Sequence, residues 1–197
     1  MTSLVLASTS QIRRQIMTGA GLDFTVKTTA VDESEIKQAM LEDGASPEEI
    51  AKALAQAKSV GVSKTEAGMV IGADQIMVMD GQIFDKPKTL DDARRRLKFM
   101  AGKTHYLIGA VIISQGGEPI WHHMAKTKLT MRAFSDDFLD HYVNMEGQAL
   151  LKSVGAYRFE GPGAQLFSHV EGDFFSILGL SLLPILNFLR EQDQILS

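Results

Sequence analysis

The 197-residue sequence contains no cysteine. Disulfide cross-links, thiolate chemistry and cysteine-ligated zinc are therefore excluded. It has no excess of positive charge: 20 Lys and Arg stand against 24 Asp and Glu, a net charge of -4. There is thus no general electrostatic case for a nucleic-acid or anionic-membrane partner, and any basic surface must be local. Long apolar runs are missing too. Residues 177–189 are the most apolar stretch and are too short to span a bilayer, and no basic segment precedes the apolar run in MTSLVLASTSQIRR. A cytoplasmic location is the expectation. Internal repeats, low-complexity tracts and a domain-sized linker are absent, as is HExxH or any similar metal spacing. His122 and His123 are adjacent, so they fall on opposite faces of a strand and read as structural. Ala101-Gly102-Lys103-Thr104 imitates the end of a P-loop, but Leu97 stands where that motif needs glycine. Asp74-Gln75-Ile76 lacks the second Asp of an aspartyl-phosphate phosphatase.

What is present is 45% hydrophobic residues, enough for a compact globular chain with one sizeable core or two lobes of one domain spanning 1–197. The chain is organised around VIGADQIMVMDGQIFDKP, residues 70–87. Val70, Ile71 and the run Ile76 to Met79 are β-prone, and Asp80-Gly81 suits a two-residue type I′ turn before Gln82-Ile83-Phe84. Asp74 therefore interrupts a buried strand. An ionised carboxylate among Ile and Val is costly to desolvate unless it faces a cleft, a metal or a cation. Lys86 follows the returning strand and Pro87 fixes the chain as it leaves the sheet. Taken alone, the hairpin reads more readily as a turn-flanking Asp and a solvated Lys.

Before it, residues 3–7 form a short buried strand, Ser8-Thr9-Ser10 a hydroxyl-rich turn, and a helix follows with Ile12, Ile16 and Met17 on one face. Exposed N–H groups at that helix start, beside Ser8, Ser10 and Arg13, make an anion site; the plainer reading is an N-cap serine and a solvated Arg-Arg pair. Residues 24–28 read as a strand leading into Asp32-Glu33, carboxylates at a strand end, not in a helix. Ser46-Pro47-Glu48-Glu49 is a capping box opening a helix through Val60, with Lys58 at the edge of its apolar stripe. After the hairpin, Thr89 to Asp92 caps a second helix that Gly102 ends; its Arg94, Arg95 and Arg96 are read as solvated. Strands follow over residues 106–114 and, as one or two elements, 119–132; a helix over 135–145 and a closing helix over 182–190 complete the pattern. Residues 155–172 read as strands joined by tight glycine turns, one of which would let Glu160 approach a ligand closely.

The order and spacing of LASTSQIRR, VDE, LAQAKS, VIGADQ, DKP and GAYRFEGPGAQLF, with a late Gly-Leu, resemble the Maf family of nucleoside triphosphate pyrophosphatases over nearly the whole chain. The resemblance implies an α/β fold of the Maf/ITPase type, a mixed twisted central sheet flanked by helices with two lobes around a cleft. It implies hydrolysis of a nucleoside triphosphate between the α and β phosphates with a divalent metal, Mg²⁺ or Mn²⁺. Asp74 matches the family's catalytic base, Glu33 and Lys58 its acidic and basic cleft positions, and Lys86 its lysine before proline. Ser8, Ser10 and Arg13 match phosphate contacts, and Glu33 with Asp74 are the carboxylates available to a metal. A nucleotide is the only expected partner, with a homodimer left open.

Within the family, Asp74-Gln75 and Glu160-Gly161 resemble the subgroup acting on 7-methyl-GTP, whereas the dTTP/UTP subgroup has Thr and Gln there. The 7-methyl-GTP subgroup often carries Trp where this chain has Ile12, so a stacking face is missing there; Tyr157 or Phe159 is expected to substitute in part. Other departures are Ser181 in place of a usual Pro and Val154-Gly155 in place of Ala-Gly. The alternatives are a dTTP/UTP pyrophosphatase, or a nucleotide-binding regulator of cell division without turnover, following the family's link to septum formation.

Overall fold

A computed structural model describes residues 3–196. Seven strands form a mixed sheet flanked by helices, in the order β2-β1-β3-β5-β6-β7 with β4 paired to β3. They are β1 (Leu4–Leu6), β2 (Thr25–Val26), β3 (Met69–Met79), β4 (Gln82–Phe84), β5 (Thr104–Gln115), β6 (Glu118–Met131) and β7 (Phe167–Glu171). The chain divides into two compact units, and β3, β5 and β6 each contribute residues to both.

The first unit comprises the described residues up to Gln75, Ile108–Ala125 and those from Gly179 onward. Here β1 pairs in parallel with β2 and with β3, through Val5 opposite Thr25 and Val70. Helices α1 (Gln11–Gly19), α2 (Glu33–Glu42), α3 (Pro47–Ser63) and α7 (Leu182–Glu191) belong to it. The capping box at α3 forms in full, Ser46 Oγ accepting from Glu49 N–H while the Glu49 carboxylate accepts from Ser46 N–H. Val5, Ala7, Val62 and Val70 pack as one buried cluster, and Trp121 stacks on Phe188 of α7 at 5.2 Å. Gly72 is where β3 and α3 touch. A Cβ there would run into the Ala55 carbonyl oxygen and the Ser59 backbone, so only glycine lets strand and helix approach this closely.

The second unit holds Ile76–Leu107 and Lys126–Leu178. Its helices are α4 (Leu90–Met100), α5 (Asp136–Glu146) and the single turn α6 (Phe174–Ile177). The β3–β4 turn has φ 51° at Asp80 and 77° at Gly81, as a type I′ turn requires. The core is formed by Met77, Leu97, Met100, Leu129, Leu139, Tyr142, Tyr157 and Leu166. His105 is fully buried in this unit, its Nε2 2.8 Å from the Tyr157 hydroxyl, and its Nδ1 has no hydrogen-bond partner among the described residues. Burial lowers the His105 pKa from 6.5 to about 4 and raises those of Tyr157 and Tyr142.

Four readings need correction. The strand expected over residues 24–28 is only the two-residue β2. Glu33 lies at the first position of α2, not at a strand end, because Asp32 caps that helix by accepting from Ser34 and Glu35 N–H. Residues 155–172 contain one strand, β7, preceded by a 3₁₀ turn at Pro162–Leu166; a Cβ on Gly163 would strike the Arg158 carbonyl oxygen. Arg96 is not solvated, since its guanidinium donates to the carbonyls of Asp85 and Val154, and burial lowers its pKa. The expectation of one or two strands over 119–132 is met by a single strand, β6.

Candidate active site

Asp74 sits on β3, two residues past Gly72, and half-buried. Because glycine brings α3 against the strand, Lys58 on that helix reaches across and its ammonium lies 2.7 Å from Asp74 Oδ1. The same nitrogen is 2.7 Å from Glu33 Oε2, delivered by the first turn of α2. The side chains of Lys58 and Asp74 are 11% and 14% exposed, while that of Glu33 is 53% exposed. One desolvated ammonium therefore joins two carboxylates, one shielded and one facing water. Lys58 is no snorkelling lysine: the residue is buried and its ammonium is paired with two carboxylates instead of being left to water.

Arg13 is the second buried cation of this unit. Its Nε donates to the Gly179 carbonyl at 2.8 Å, and its Nη1 donates to the Ala73 carbonyl at 2.7 Å and to Ser8 Oγ at 3.3 Å. Desolvation lowers its pKa, opposed by the charges of Asp74 and Glu33, and a guanidinium stays protonated. Arg14, its neighbour, is exposed. The expected Arg-Arg pair is thus one buried clamp and one solvated side chain. Ser10 caps α1 by accepting from Arg13 N–H at 3.5 Å, and Ser10 N–H donates to the buried Ser8 hydroxyl at 3.2 Å. Gln75 is half-buried, its Oε1 3.7 Å from where a Cβ on Gly179 would lie; Ile12 is half-buried on α1. The unit thus gathers Asp74, Glu33, Lys58, Arg13, Ser8, Ser10 and Gln75 from four segments far apart in sequence.

Lys86 and Glu160 belong to the second unit. Lys86 is exposed directly after β4, beside the buried Pro87. The Glu160 carboxylate lies 3.3 Å from Arg158 Nε. Tyr157 is 4% exposed and bonded to His105, so it offers no face to a base. Phe159 is half-buried against Phe167 and Phe174 and is the aromatic that remains.

The Maf-like protein family profile matches residues 3–192. The chain belongs to the Maf family. It is 49% identical to the nucleoside triphosphate pyrophosphatase of Granulibacter bethesdensis over 95% of this chain and 96% of that protein. A protein of the same name from Hyphomonas neptunium is 45% identical, covering 95% of both chains. The 7-methyl-GTP pyrophosphatase of Brucella abortus is 42% identical, covering 96% of both.

In this Maf chain no group of three His, Cys, Asp or Glu is placed to hold a metal among the described residues. Two carboxylates do converge, since Asp74 and Glu33 share one ammonium at 2.7 Å each. Hard oxygen donors of that number fit Mg²⁺ or Mn²⁺, which commonly take one or two carboxylates and complete their shell from phosphates and water. Among the described residues no helix is long and apolar enough to cross a membrane. Sequence reasoning missed the helix under Glu33, the carbonyl clamp on Arg13 and the role of Gly72. The first had a cue in the Asp32 cap, and the last in a glycine inside an apolar strand, which marks close backbone approach; the clamp on Arg13 had none.

Proposed function

We propose that this chain hydrolyses 7-methyl-GTP, with Asp74 as the base and Glu160 reading guanine. It is a nucleoside triphosphate pyrophosphatase, a hydrolase of acid anhydrides. The observation that supports the mechanism is the Glu33–Lys58–Asp74 bridge, a carboxylate kept desolvated and oriented by a fixed cation. Asp74 accepts a proton from water as the water oxygen bonds to phosphorus. The bridging P–O bond between the α and β phosphates breaks, and a monophosphate and pyrophosphate leave. Lys58, with Lys86 as a further cation, neutralises charge growing on the phosphoryl oxygens. Ser8, Ser10 and the start of α1 offer donors to the triphosphate, and Arg13 holds the backbone at Ala73, next to the base. Mg²⁺ or Mn²⁺, held by Asp74 and Glu33, supplies further charge neutralisation when bound.

The base assignment rests on hydrogen-bond inventory. Guanine presents adjacent N1–H and N2–H₂ donors that one carboxylate accepts together, whereas uracil and thymine place carbonyl oxygens on either side of a single N–H. Methylation at N7 adds a positive charge that a carboxylate attracts. The names of the relatives divide between a general and a 7-methyl-GTP activity, so the panel of substrates decides. Pyrophosphate release should be fastest with 7-methyl-GTP, ahead of GTP, UTP and dTTP. In Asp74→Asn it should fall about 10²-fold or more at unchanged fold and nucleotide affinity. Turnover retained in that variant removes Asp74 as base, and preference for dTTP or UTP removes the guanine reading while leaving the hydrolysis intact.

A further inference from the structure

The second unit carries a charged cluster in which only Glu160 has been given a role. Glu146 ends α5, and its side chain is only 4% exposed. Its carboxylate pairs with Arg158 Nη1 at 3.4 Å, and Arg158 Nε points to Glu160 Oε1 at 3.3 Å. Arg158 itself is 43% exposed. Its backbone N–H donates to the Tyr142 hydroxyl at 3.4 Å, and the turn behind it is closed by Gly163 against the Arg158 carbonyl. The backbone from 158 to 163 is thus fixed by Tyr142 and by a glycine that no other residue can replace without a clash.

We infer that Arg158, anchored on Glu146, is a positioning residue that sets the carboxylate of Glu160 for the purine base. The inference rests on the reading of Glu160 as the guanine-selective residue. A nearly buried carboxylate is costly without a cation, so Glu146 commits one edge of the guanidinium and leaves Nε aimed at Glu160. A carboxylate accepts at two oxygens through about four lone-pair directions. Arg158 on Oε1 therefore restricts the rotation of Glu160 and still leaves acceptor capacity for the paired N–H donors of guanine. Charge adds a second consequence. Two carboxylates and one guanidinium leave the cluster with one net negative charge, whereas Arg158 and Glu160 alone would be neutral. Glu146 thereby keeps the cluster attractive to a cationic, N7-methylated ring over plain guanine.

The test measures kcat and KM for 7-methyl-GTP, GTP and UTP in wild type, Glu160→Gln, Arg158→Ala, Arg158→Lys, Glu146→Gln and the Arg158→Ala/Glu160→Gln double variant. Arg158→Ala should lower the 7-methyl-GTP to UTP ratio about two- to fivefold, the scale of a partly exposed ion pair, mainly through KM, with partial recovery in Arg158→Lys. The same substitution should leave the ratio unmoved once Glu160 is Gln. Glu146→Gln should lower the 7-methyl-GTP to GTP ratio. If Glu160→Gln moves the substrate ratio and Arg158→Ala does not, or moves it equally in both backgrounds, the positioning role is overturned and the Glu160 reading stands. If Glu160→Gln leaves the ratio untouched, both fall. Thermal melts of each variant separate these outcomes from misfolding, and Arg158→Lys keeps the comparison available should Arg158→Ala fail to fold.

Discussion

Replacing Lys58 by methionine keeps the length and apolar packing of its stem and deletes the ammonium that joins Asp74 to Glu33. The two arms are unequal. Glu33 is 53% exposed, so its lost attraction is screened by water and contributes at most about 1 kcal/mol. Asp74 is 14% exposed, and removing the partner of such a charge leaves it desolvated, a loss on the order of 3 kcal/mol. For a chain of this size that corresponds to a melting temperature lower by roughly 6–12 °C. The loss belongs to an uncompensated charge, so Lys58→Met/Asp74→Asn should melt well above Lys58→Met alone. A cation should also substitute for the missing ammonium. Mn²⁺ at a hundred times its Kd would restore about 2.7 kcal/mol by mass action, so Lys58→Met should gain more melting temperature from Mn²⁺ than wild type does, without nucleotide. Differential scanning fluorimetry of the three proteins across a Mn²⁺ series reads all of this. A small loss in Lys58→Met that Asp74→Asn does not reverse, with identical Mn²⁺ responses, would refute the bridge as the feature that holds these carboxylates.

Lys86→Ala should depress kcat/KM for the nucleotide far more than Arg95→Ala, since Arg95 is an exposed side chain paired with Asp92 on α4; equal, small effects measured at saturating metal would remove Lys86 from the reaction. His105 makes stability depend on pH in a defined direction. Its folded-state pKa of about 4 lies below the unfolded value near 6.5, so the unfolded chain takes up the proton first and stability falls as pH drops through that window. Between pH 7 and pH 5 the loss is about 2 kcal/mol by linkage. Urea midpoints should show it in wild type and not in His105→Gln, and a wild-type stability that is flat over this range would contradict the burial of a neutral ring.

Elements whose signal is local were legible in the residues. The α3 capping box, the Asp80-Gly81 turn and the apolar period of α4 each lie within a few positions and appear as read. Helix α2 was missed for a physical reason: none of its residues is buried, so it has no apolar stripe, and its one strong cue is the Asp32 cap. The segment 155–172 reads as several strands, but glycine there serves a 3₁₀ turn and close packing instead of hairpins.

The site shows the same division between residue type and environment. Asp74 could be singled out because a carboxylate in an apolar strand needs a partner, yet the partner is on a different element, and Gly72 decides that it can reach. Arg13 and Arg14 are adjacent and chemically identical, but one is buried and one exposed. What separates them is the pair of carbonyls at Ala73 and Gly179, the second lying 166 positions away and supplied by a glycine at φ 96°. A sequence window cannot contain that distance. Burial of a cation in this site is therefore a tertiary property: it arises where distant backbone carbonyls and carboxylates converge, and the charged residue itself carries no local mark of it.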